Sequence, residues 1–164
     1  MDRKTWKKQS WGLTLLVVAG TSALAFGNDN LSPATKKELA AARSATAKYH
    51  DIAQAEADGY TNTGVYIPGE GLHYANFSLF DATFDPERPE ALIYAPVAGE
   101  DRLELVAVEY LVPLALSANA PAGFTGNADV WKQDEEGFGL WEMRAWIWMH
   151  NPNGMFAETN PRVP

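Results

Sequence analysis

Three histidines and one misplaced carboxylate are the residues of this chain best suited to chemistry: His50, His73, His150 and Glu109. The histidines stand in three separate segments: Lys48-Tyr49-His50-Asp51, Gly71-Leu72-His73-Tyr74, and the stretch just before Asn151-Pro152. Ligands of an intramolecular metal site normally come from separate segments in this way. Imidazole binds zinc, copper, iron and nickel, and a carboxylate commonly completes a histidine-based site. Met149 adjoins His150, and Met143 and Met155 lie close by. Thioether beside imidazole suits copper, Cu(I) in particular. These residues predict a transition-metal site, copper or zinc, held by His50, His73, Glu109 and His150, with Tyr74, Arg144 and Met149 at its edge.

The competing explanations are structural. Glu109 can pair with Arg144 across neighbouring strands, because a buried carboxylate requires a partner. The tryptophans and methionines can simply fill a core. The chain has no cysteine, no Gly-x-Ser-x-Gly elbow, no P-loop, no dinucleotide fingerprint and no His-Glu-x-x-His. Three functional readings follow. One is a metal-binding protein, another an aromatic-lined module binding a small organic ligand or a partner protein. The third is a metal-dependent enzyme with an open coordination position, so catalysis itself is left undecided.

The elements that must position these residues begin with a helix. Ser32-Pro33 has the form of an N-cap followed by proline at the first helical position, and no further Gly or Pro occurs before Gly59. One long helix, Pro33–Asp58, is predicted, with Leu39, Ala42, Thr46, Tyr49 and Ile52 along one face. Strands are predicted at Leu72–Asn76, Ala91–Ala95, Arg102–Val112 and Leu140–Met149, the middle two as a hairpin. Strict alternation places Leu103, Leu105, Ala107, Glu109 and Leu111 on one face, so that Glu109 interrupts an apolar row. It likewise groups Glu142, Arg144, Trp146, Trp148 and His150. The predicted class is α+β, one long N-terminal helix packed on a small, mainly antiparallel sheet.

Arg3, Lys4, Lys7 and Lys8 precede an apolar run of 14 residues, Leu13–Phe26, which ends in Ala23-Leu24-Ala25. That order predicts a secretory signal over residues 1–27, cleaved after Ala25 or Gly27. The run is short of the ~20 residues of a bilayer span, so no stable membrane anchor is expected after processing. The product is a single domain, 28–164, in the periplasm or outside the cell. It carries nine Lys/Arg against twenty Asp/Glu, a net charge of −11 compared with −8 for the whole chain. Its cations are scattered, which argues against nucleic acid as a partner.

Several short motifs carry a resemblance: Lys48-Tyr-His-Asp51, His73-Tyr74, Asp85-Pro-Glu-Arg-Pro-Glu90, Val108-Glu-Tyr110, Trp146-Ile-Trp148 and Asn151-Pro-Asn-Gly-Met-Phe156. Together they resemble a group of small exported bacterial proteins without an assigned function, over roughly Ala41 to Val163. The resemblance implies a histidine where Arg144 stands, and so a His-x5-His pair ending at His150. In this chain a fixed cation occupies that place.

Overall fold

Ser32 caps the first helix, its hydroxyl accepting from Thr35 N at 3.1 Å, with Pro33 entering the first turn. The computed structural model describes residues 30–164 except 99 and 136; the secretory segment expected over residues 1–27 lies outside the described residues. The expectation of one long helix is overturned. Helix α1 (Pro33–Thr46) tightens into a 3₁₀ turn, Ala47–His50, and a separate short helix α2 (Ile52–Ala57) follows. The break lies at Asp51, whose backbone is extended (φ −91°, ψ 109°) and whose side chain caps α2 through Ala53 N at 3.0 Å. A short polar side chain that bonds local backbone competes with helix continuation. The break has a use: it frees the Tyr49 carbonyl, which accepts from Tyr94 Oη at 2.6 Å.

The sheet is also larger than expected. Six strands run in the order β1-β2-β3-β4-β6-β5, every neighbouring pair antiparallel. They are β1 (Thr61–Ile67), β2 (Gly71–Ala75), β3 (Ala91–Pro96), β4 (Leu103–Pro113), β5 (Lys132–Gln133) and β6 (Leu140–Ala145). Edge strands β1 and β5 carry too little hydrophobic alternation to be read as strands. Strand β6 stops at Ala145, short of the predicted Met149, because the chain turns off the sheet. Trp148 N and Met149 N then both bond to Val106 O, at 3.2 and 3.0 Å.

Val106 is itself an extra residue, for the register passes from Ile93↔Ala107 to Tyr94↔Leu105. This bulge splits the row that strict alternation assigned to one face. Leu105 joins the main core with Leu92, Tyr94, Val108 and Tyr110, beneath Leu39, Ala42, Tyr49 and Ala55 of the helical segment. Ala107, Glu109 and Leu111 point to the opposite face. There the irregular C-terminal segment covers Ile93, Ala95, Val106 and Ala107 with Trp146 and Val163. The rest of that face, around Ala75, Ala91 and Leu111, meets Phe80 and Leu140, and among the described residues neither α1 nor α2 packs on it. Among the described residues no helix is long and apolar enough to cross a membrane.

Candidate functional site

Glu109 lies on the face away from the helices, only 3% exposed, and register places Arg144 of β6 directly opposite it. Arg144 is 5% exposed and donates through Nη2 to Glu109 Oε1 and to Glu70 Oε2, the latter at 2.9 Å. Its Nη1 donates to the Glu158 carbonyl, while its buried Nε has no hydrogen-bond partner among the described residues. On the other side of Glu109, across β3, stands His73 of β2. Its Nε2 is 3.6 Å from Glu109 Oε2 and 3.9 Å from Glu70 Oε2. The residue of β3 beside Glu109 is Ala91, whose small side chain leaves room for the two to approach over it.

Local structure holds each member in place. Glu70 sits in the β1–β2 turn between Gly69 (φ +82°) and Gly71 (φ +114°), with its amide on Ile67 O at 2.9 Å. A Cβ at Gly71 would fall 2.6 Å from Tyr94 O, so the turn needs glycine for space as well as for φ. His73 is oriented by a second bulge. In β1 three residues, 63–65, separate Asn62 from Tyr66, whereas only His73 separates their partners Tyr74 and Leu72. The bulged strand brings Val65 O to 3.3 Å from His73 Nδ1, and Thr63 Oγ1 donates to His73 O at 2.9 Å.

The cluster forms the floor of a cavity of about 630 Å³. Glu70, His73, Glu109 and Glu142 supply its ionisable groups; Val65, Ile67, Phe80, Leu111 and Leu140 supply much of its apolar wall. Phe77 and Phe138 stand at its mouth, 66% and 62% exposed. Burial pushes the Glu70 carboxyl above the usual range, against the pull of Arg144. The carboxylates that surround Arg144 more than offset its desolvation, so the guanidinium is held firmly charged. The assembly is therefore an acidic, ion-paired polar floor beneath an apolar chamber.

Of the four predicted ligands, His73 and Glu109 come together and the other two do not. His50 is exposed on the helical side, edge-on to Trp148 with ring centroids 4.3 Å apart. Partial desolvation of its ring lowers its pKa, and the nearby Arg43 adds to the effect. His150 is exposed at the start of the 151–154 turn, its carbonyl accepting from Asn160 Nδ2 at 3.3 Å. Among the described residues, no three His, Cys, Asp or Glu side chains are placed to hold a metal. Tyr74, expected at the edge, points to the helical face, where its ring meets Tyr94 at 5.0 Å. Met149 packs on the cluster around Trp146, and Arg144 is central rather than peripheral. Sequence reasoning missed Glu70; a carboxylate flanked by two glycines shortly before His73 was the available signal.

A second depression, about 810 Å³, lies on the helical side among Lys48, Tyr49, Asp58, Tyr60, Asn76 and Arg88. It is more polar, and Lys48 and Asp58 pair across it at 2.5 Å. Comparison of the chain with protein-family models, with curated proteins and with solved structures gives no match, so its function must be read from this geometry.

Proposed function

We propose that this protein is a binding module that takes a small organic molecule into the cavity on the helix-free face of its sheet. One observation carries the reading: a chamber of about 630 Å³ with apolar walls ends on a fixed cluster of Glu70, His73, Glu109 and Arg144. Small-molecule sites are concave and mostly apolar, with a few placed polar groups, and measure roughly 300–1,000 Å³. A floor already locked by ion pairs costs little ordering entropy on binding. The metal reading has lost its ligand set. His50 lies on the helical side against Trp148 and His150 at the 151–154 turn, away from His73 and Glu109.

The test is binding of a neutral environment-sensitive dye such as Nile red, with Ala115→Trp as the control. Ala115 lines the cavity yet is exposed, so a larger side chain there obstructs the chamber without entering the core. Saturable fluorescence enhancement that Ala115→Trp abolishes supports the reading; enhancement unchanged by it removes the cavity as the site. The same proposal places the protein in the periplasm or outside the cell, on the strength of the basic, apolar and small-residue order of residues 1–27.

A further inference from the structure

We propose that the molecule taken by this cavity presents a primary ammonium to Glu109 and Glu70, on an apolar body that meets the walls of Val65, Ile67, Phe80, Leu111 and Leu140. The inference rests on the cavity reading and specifies its ligand. Among the described residues, the ionisable groups lining the chamber are three carboxylates, Glu70, Glu109 and Glu142, and one imidazole, His73, with no Lys or Arg. Arg144 lies behind this floor, its Nη2 committed to Glu70 and Glu109 and its Nη1 to Glu158 O. A single guanidinium shared between two carboxylates leaves the floor negative.

The accepting capacity is also unequal. Glu109 Oε1 is taken by Arg144, whereas Oε2 is 3.6 Å from His73 Nε2, beyond the usual N–H···O distance of about 3.2 Å. An ionised carboxylate has roughly four lone-pair positions, so Glu109 retains capacity on the His73 side. An anionic head group would meet like charge in a partly dry chamber. A hydroxyl would gain a neutral hydrogen bond, and an ammonium a charge-assisted one of about twice the strength. A quaternary ammonium has no N–H to give.

Isothermal titration of the purified protein at neutral pH with 4-phenylbutylamine, 4-phenylbutan-1-ol and 4-phenylbutanoate tests this, because the three differ only in the head group. The amine should bind about tenfold more tightly than the alcohol, the margin between a charged and a neutral hydrogen bond, and the carboxylate most weakly. In Glu109→Gln the amine's advantage over the alcohol should shrink to about twofold. The wild-type ranking decides the matter even where that variant fails to fold. Amine and alcohol binding equally, or the carboxylate binding best, overturns the ammonium assignment and leaves the cavity reading intact. Binding by none of the three, together with no dye uptake, removes both.

Discussion

Arg144 separates two carboxylates that would otherwise face each other in a poorly solvated space, and its removal exposes that repulsion. Arg144→Met is expected to cost about 3 kcal/mol at pH 7.5, the scale for losing one partner of a buried ion pair. Urea titration at pH 7.5 and 5 checks it: the deficit should narrow at pH 5, where a proton taken up by the cluster relieves the repulsion. Glu90 gives a second pH signature. It is 4% exposed, burial pushes its pKa up to about 7, and its Oε2 accepts from Leu111 N at 3.0 Å. An acid whose folded pKa is raised contributes no penalty below its unfolded value, near 4.5, and a growing one as pH rises through 7. Glu90→Gln keeps an acceptor for Leu111 N and removes the charge. Its melting temperature should exceed wild type at pH 8 and match it near pH 4.5. Equal gains at both pH values would contradict this account. Glu109 and Arg144 were legible in the sequence because a charge inside an apolar row needs an explanation and a partner. His50 and His150 misled because residue type carries no direction; one packs on Trp148 and the other ends a turn.

Among the elements, the β1–β2 connection decides whether the floor of the cavity exists. Gly71 places Glu70 before β2 and lets Tyr94 O approach to a distance no Cβ tolerates. Gly71→Ala is therefore expected to destabilise by at least about 2 kcal/mol, combining positive-φ strain with a backbone clash. It should weaken dye binding as well. Chemical denaturation and dye titration measure the two, and a stable variant with intact binding would show that the turn has slack. Strands β2, β3 and β4 lie within a residue of where alternation and turn residues predicted them. The bulges at Val106 and over residues 63–65 were not legible, since alternation assumes an uninterrupted pleat. Yet the first sends Glu109 to the helix-free face and the second aims His73 at it. The helix break at Asp51 was hidden for a related reason. Propensity favours continuation there, and the gain that opposes it, Tyr49 O meeting Tyr94 Oη, comes from a strand some forty residues away.

At the scale of the whole molecule, the chain has no disulfide and relies on two unequal layers over one sheet. The helical layer was legible as a hydrophobic face, the C-terminal layer was not, because it is irregular. Its ties are specific: Asn160 N bonds to Gly69 O at 2.7 Å, Gly69 N to Pro164 O at 3.3 Å, and Val163 is buried on Ile93's side of the sheet. The last residues thereby brace the very turn that presents Glu70. The two outer strands have a further consequence, one that concerns other copies of the chain. A sheet open at both ends offers unpaired N–H and C=O groups to any neighbouring strand, a template for aggregation. Here one end, β5, is two exposed residues led by Lys132, and the other, β1, is buckled by its bulge and carries Gly64 at φ +74°. Neither presents a straight run long enough to recruit a partner strand. The irregularity that aims His73 inward thus also blunts the outer edge against strand addition, so one bulge serves both the site and the rim of the sheet.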